Sequence, residues 1–169
     1  MTKSSKVYGS INTGKHAQTL VALFSTIVSQ YETAPAVTFA ERTLSYSELD
    51  RLSNSLAHHL IAQGCCKGDV VTLAFDKGLE FIVAVLASLK AGCIYAPLDP
   101  EYPQQRLSQM LQVSACKLLL AGEAFARGEL AKGLLHEKYV AHVVNVTQNL
   151  TTVSYTQLTT PTNHSQTVL

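Results

Sequence analysis

Charge is scarce in this sequence. Only 15% of its 169 residues are Asp, Glu, Lys or Arg, and the formal net charge at pH 7 is +1. A protein that grips nucleic acid or an anionic membrane needs a basic face, so this balance excludes a polyanion partner. Long apolar runs are missing as well. The longest, residues 81–89 (FIVAVLASL), is less than half of the roughly 20 residues that span a bilayer, and the N-terminus carries no apolar core of a secretory signal. Four cysteines occur, Cys65, Cys66, Cys93 and Cys116, but no CxxC pair and no Cys/His spacing suited to zinc. They are read as small buried or loop residues, reduced in the cytosol, and no metal is expected. A P-loop, a GxGxxG turn and a GxSxG elbow are all absent. What remains is a cytoplasmic globular protein with neither nucleic acid nor membrane as partner.

What is present is apolar and periodic. With 47% apolar residues and one domain's worth of length, the chain can bury a sizeable core. Residues 1–18 are polar and predict a flexible N-terminus. Leu20, Leu23, Phe24, Ile27, Val28 and Tyr31 recur at helical spacing up to the stop at Pro35. Residues 36–40 read as a strand, Glu41-Arg42 as a turn and Thr43-Leu44 as a short return. Ser45-x-x-Glu48 is a capping box. It opens the main helix, striped by Leu49, Leu52, Leu56 and Leu60 with Ile61 beside them, and Gly64 ends it. Residues 69–75 (DVVTLAF) form a near-continuous apolar run of the kind found in strands covered on both faces. Asp76 is the expected N-cap of a helix over residues 78–90, and a strand follows over 94–98. Strand, helix, strand at this length implies a parallel crossover. The pattern continues with a helix over 104–113, a strand over 117–121, a helix over 123–135 and a strand over 140–146. The fold class is α/β, a doubly wound mainly parallel sheet with flanking helices.

Residues 89–106 (LKAGCIYAPLDPEYPQQR) concentrate the local signals. An apolar helix ends at Gly92, which supplies a left-handed cap. A short strand, expected to be buried, follows, and two prolines fix a rigid exit into the next helix. This stretch resembles the second core motif of the adenylation domains of nonribosomal peptide synthetases, LKAGxAYVPxDPxYPxxR, within the adenylate-forming (AMP-dependent synthetase/ligase) superfamily. Upstream, LSYSEL at residues 44–49 resembles the first core motif of the same domains. Leu56-Ala57-His58-His59-Leu60, Gly64 and Gly68-Asp69 follow the family's habits between them. The resemblance covers residues 19–122 and corresponds to the opening part of a much longer domain. It implies an enzyme that binds ATP with Mg2+, joins a substrate carboxylate to AMP with release of pyrophosphate, and passes the acyl group to a carrier-protein thiol. The implied partners are the remainder of an adenylation domain and a carrier protein.

The residues that would do this chemistry are not legible here. The family's phosphate loop, YTSGSTGxPKG, has as its nearest counterpart residues 155–162 (YTQLTTPT), which keep the Tyr-Thr start but lack the glycines and the lysine. Tyr155, Thr156, Thr159 and Thr160 are the weak nucleotide-binding candidates. Without glycine the backbone cannot make the close approach that lets amides cradle phosphates. No position matches the family's magnesium ligand or its C-terminal lysine, so no catalytic residue is assigned. No Asp, Glu, Lys or Arg occurs after Lys138, and the composition of residues 147–169 predicts a disordered tail, leaving 19–146 as the α/β part. The formal glycosylation sequons at Asn145, Asn149 and Asn163 mean nothing without a secretory route. His58 and His59 read as half-exposed helix residues. Asp76-Lys77 and residues 99–102 follow strand C-termini, where open α/β sheets bind ligands; they are either cleft walls or a cap and a turn. Two functions follow: the opening segment of an AMP-forming ligase, inactive by itself, or a non-catalytic α/β remnant or protein-docking module.

Overall fold

The computed structural model describes residues 19–136 and 143–146. In chain order these form α1 (Leu20–Gln30), β1 (Pro35–Phe39), β2 (Arg42–Ser45), α2 (Tyr46–Ala62), β3 (Val70–Ala74), α3 (Leu79–Lys90), β4 (Ile94–Leu98), α4 (Gln104–Ser114), β5 (Leu118–Ala121), α5 (Glu123–Arg127), α6 (Glu129–His136) and β6 (Val143–Asn145). The expected flexible N-terminus and the tail with Tyr155, Thr156, Thr159 and Thr160 lie outside the described residues.

Apolar residues without alternation at β3 and β5 demand cover on both faces, and the sheet supplies it. Its strands are ordered β4-β3-β5-β6, and all three pairings are parallel. Because side chains alternate along a strand, Val71, Leu73, Leu118 and Leu120 pack with Leu49, Leu56 and Leu60 of α2 and Val83, Ala84 and Ala87 of α3. Ala74, Leu119 and Ala121 point the other way, onto Leu107 and Leu111 of α4. Helices thus cover both faces, as a doubly wound sheet requires. Each fully buried leucine contributes roughly 1.5–3 kcal/mol, so the α2 stripe is a main anchor.

The capping box forms as read. Ser45 Oγ accepts from the Glu48 amide at 3.2 Å while Glu48 Oε2 accepts from the Ser45 amide at 2.8 Å. Between β1 and β2, which pair antiparallel apart from the main sheet, the turn sits at Ala40-Glu41, one residue earlier than expected. Ala40 takes a left-handed φ of 51° there.

Other expectations are corrected. The strand at 94–98 is buried only at its end: β4 is an edge strand of the described sheet, with Ile94 56% and Tyr95 39% exposed and Leu98 4%. Asp76 does not cap α3; Gly78 does, in extended backbone and without a side-chain hydrogen bond. The helix expected over 123–135 is broken into α5 and α6 at Gly128, whose extended backbone (ψ 161°) closes α5. Helix α1 buries no residue completely, and Leu20 and Leu23 on its stripe are more than half exposed.

Candidate functional site

The sheet order places a switch point beside β3. From β3 the chain moves outward to β4, then crosses back to lay β5 on the other side of β3. The two connections leave the C-terminal ends of β3 and β5 in opposite directions, and a crevice opens there, as in other open α/β sheets. It is a cavity of about 240 Å³ lined by Ala74 to Gly78 after β3, Glu80 of α3, and Gly122 to Phe125 after β5. Asp76 and Lys77 are therefore cleft wall. Glu80 and Glu123, which the sequence reading did not single out, belong to the same wall. Each stands in the first turn of a helix that starts just past a strand end, and that placement was the available signal.

Residues 99–102 fall on the other side of the ledger. Asp99 Oδ1 accepts from the Glu101 amide at 3.0 Å, and the Tyr102 amide reaches the Asp99 carbonyl. This is a turn that closes on itself and feeds Pro103, the residue preceding α4. Arg106 lies 4.0 Å over the Tyr102 ring, which holds the exit from β4 against the first turn of α4.

The rest of the 89–106 stretch is also structural. Gly92 adopts φ 75°, and a Cβ there would meet Lys67 at 3.4 Å. Its carbonyl accepts from the Gly68 amide at 2.9 Å, so the loop before β3 and the loop before β4 are bound together. At the same end, Lys117 Nζ donates to Asp69 Oδ2 and to the Gly64 carbonyl, both at 2.6 Å. The Lys117 ammonium and the Cys66 amide hold the Asp69 carboxyl below its ordinary range, and the carboxylate raises Lys117 in return. His58 and His59 are half-exposed on α2. Cys65, Cys93 and Cys116 are buried, Cys66 is exposed, and all four are free. Among the described residues no group of three His, Cys, Asp or Glu is placed to hold a metal ion.

The crevice does not fit ATP. Its lining carries three carboxylates, Asp76, Glu80 and Glu123, against one cation, Lys77; Glu80 is paired with Arg42 at 3.2 Å and Glu123 with Arg127 at 2.8 Å. Lys77 is the one cation of the lining itself, so a polyphosphate finds little positive charge to hold it. The volume also lies under the roughly 300–1,000 Å³ of small-molecule sites. The described residues thus line a small crevice with a single cation in its wall.

Against known proteins, the family described as AMP-binding enzyme matches residues 24–167. The match continues well beyond Gly122, and the chain belongs to this family. Surfactin synthase subunit 3 of Bacillus subtilis is 43% identical over 97 residues, 57% of this chain but 8% of that protein. The N-terminal subdomain of Klebsiella oxytoca NpsA, solved in complex with 3-hydroxyanthranilyl-AMSN, superposes with a TM-score of 0.67 at 19% identity, over 83% of this chain and 32% of that one. The nonribosomal peptide synthetase FmoA3, in its AMPPNP-bound form, gives 0.70 at 24% identity, over 83% and 14%. These two likenesses show the fold alone. The chain corresponds to an N-terminal part of a nonribosomal peptide synthetase adenylation domain, and it spans a small fraction of the relatives it matches.

Proposed function

We propose that this chain works as the opening α/β part of an AMP-forming ligase in nonribosomal peptide synthesis. Such an enzyme joins an amino or aryl acid to ATP as an acyl-adenylate, releases pyrophosphate and loads the acyl group on a carrier-protein thiol, with Mg2+ neutralising the phosphates. In the described segment the residues orient and exclude. Lys90 and Gly92 fix the end of α3 and the start of β4, and the small crevice shapes one wall without holding the nucleotide. A cytoplasmic location goes with this role; among the described residues no helix is long and apolar enough to cross a membrane.

The observation that carries this reading is the 89–106 stretch. It folds as helix stop, strand and rigid exit around Lys90, Gly92 and Pro103, inside the family match over 24–167. Ordered positioning of this kind underlies in-line displacement at phosphorus.

A chimera tests it. Residues 24–122 are exchanged into the equivalent stretch of an adenylation domain of known activity, and ATP-pyrophosphate exchange is measured. Exchange well above the no-enzyme control is expected. A folded chimera without exchange sinks the reading and favours the protein-docking alternative.

A further inference from the structure

The outer edge of β4 has most of the features that let one strand recruit another. Among the described residues no strand lies beyond it. Ile94, Tyr95 and Pro97 are exposed, and residues 91–98 (AGCIYAPL) include no charged side chain. The register with β3 runs unbroken from Val70 opposite Ile94 to Ala74 opposite Leu98, so no bulge twists the edge away. Proteins keep such edges from pairing with charges, bulges, a covering element or a proline. Of these, the described residues supply β4 with the proline alone.

The direction of the backbone groups shows what that proline does. The Ile94 amide donates to the Asp69 carbonyl at 2.9 Å, on the β3 side. Backbone groups turn to alternate sides along a strand, with the N–H and C=O of one residue on the same side. Ile94, Ala96 and Leu98 therefore face β3, whereas Tyr95 and Pro97 face outward. On β3 the same alternation holds, since the Val70 and Ala74 carbonyls accept from the Lys117 and Gly122 amides on the β5 side. Proline has no N–H. Cys93, the residue before β4, has its amide on the Ser88 carbonyl at 2.9 Å. Tyr95 is left as the one outward donor of residues 93–98.

We propose that Pro97 is an edge-blocking residue, which keeps a second copy of this chain from adding to the sheet through β4. A copy is the partner excluded because an edge turned about a two-fold axis meets itself. Two β4 strands would then run antiparallel, with Tyr95 of each opposite Pro97 of the other. Such a pair of residues exchanges an N–H···O bond in each direction. Proline deletes one of them and leaves the Tyr95 carbonyl facing no donor, and a polar group closed off without a partner bears its full desolvation cost. The side chain at 97 stands in solvent, so another residue there restores the donor without entering the core. The block belongs to the sheet edge and holds whether or not the chain serves an adenylating enzyme.

Sedimentation velocity over a concentration series tests it on the full 169-residue chain, alongside amide exchange at Tyr95. Wild type is expected to stay monomeric, with the Tyr95 amide exchanging as an unpartnered one. Pro97→Val, its fold checked by circular dichroism and a cooperative melt, is expected to move toward dimer as concentration rises, with the Tyr95 amide slowing in step. Pro100→Val, in the turn after β4, is expected to behave as wild type. A folded Pro97→Val that remains monomeric overturns the proposal, as does association that leaves the Tyr95 amide unprotected or that occurs equally in Pro100→Val. A Tyr95 amide already protected in the wild-type monomer overturns it too, and that arm needs no variant to fold.

Discussion

Lys90 at the end of α3 sets its ammonium 2.7 Å from Asp50 Oδ1 on α2. The same nitrogen reaches Ser53 Oγ and Asn54 Oδ1 at 2.7 Å and the Asp50 carbonyl at 3.1 Å, and it lies 5.3 Å from the centre of the Phe24 ring. Its side chain is 5% exposed. Positions 50, 53 and 54 share one helical face, so α2 offers a ready-made polar socket to a cation arriving from α3. Desolvation lowers the Lys90 pKa, and Asp50 opposes that shift.

Removing one member of such a set leaves the other charge without its partner. Lys90→Met is expected to destabilise by about 3 kcal/mol, at the low end for buried pairs because Asp50 can regain water. Arg42→Met, at an exposed pair, should cost less than about 1 kcal/mol. Urea midpoints that move equally for the two variants would contradict the assignment of Lys90 as the pin between α2 and α3.

The α2 stripe makes a second contrast. Leu56 is 1% exposed and fully enclosed between α3 and the sheet, whereas Gln63 is exposed past the end of the helix. Leu56→Ala should cost roughly 2–5 kcal/mol, and Gln63→Ala little. Thermal melts compare them, and indistinguishable midpoints would displace the stripe from the core.

Two left-handed helix ends predict effects of opposite sign. Gly92 has φ 75° with Lys67 close by, and Ala115, after α4, has φ 48° on the surface. A Cβ in this region costs roughly 1–2 kcal/mol, while glycine's unfolded-state entropy returns about 0.4–1 kcal/mol. Gly92→Ala should therefore lower the melting temperature and Ala115→Gly raise it by the equivalent of about 0.5 kcal/mol. A melting temperature that falls in Ala115→Gly would show that the left-handed cap carries no strain.

Local signals were legible where the physics is local. The Ser45 and Glu48 cap, the end of α3 at Gly92 and the exit through Pro103 each depend on residues within a few positions. The burial of β4 was misread because an apolar five-residue run looks alike in the centre and at the edge of a sheet; strand order decides, and it is set by pairings 20 to 50 residues apart. The Asp76 cap failed for a related reason. An Asp ahead of an apolar helix is a good cap, yet the crossover from β3 draws Asp76 into the cleft and leaves Gly78 at the helix start. The crevice was half visible: Asp76 and Lys77 followed a recognisable strand, but Glu80 and Glu123 join them only because β3 and β5 are neighbours.

Acid should act through two carboxylates. Glu48 is held below its ordinary 4.5 chiefly by the Ser45 amide, and Asp69 below its ordinary 3.8 chiefly by Lys117. A carboxyl depressed in the folded state contributes stability that is present above the unfolded value and is lost as pH falls through the folded one, because the unfolded chain then binds more protons. Stability should thus decline as pH drops below about 4.5, and Glu48→Gln with Asp69→Asn should flatten that decline. An unchanged slope in the double variant would place the acid sensitivity elsewhere.

The last expectation separates the family's chemistry from this chain's. The crevice lining offers one cation, Lys77, beside three carboxylates of which two are paired with arginines, and residues 155–162 lack the glycines and lysine of the family's phosphate loop. Loss of one oxyanion-type donor costs about 100- to 1,000-fold, so a site without the loop, the magnesium ligand and the lysine should show no turnover. This chain alone is expected to give no ATP-pyrophosphate exchange with any amino or aryl acid. Its ATP affinity should be no tighter than about millimolar, or about −4 kcal/mol. Exchange above the no-enzyme control, abolished by substitution of Thr156, Thr159 or Thr160, would reverse this: those threonines would then be working as a phosphate loop without glycine.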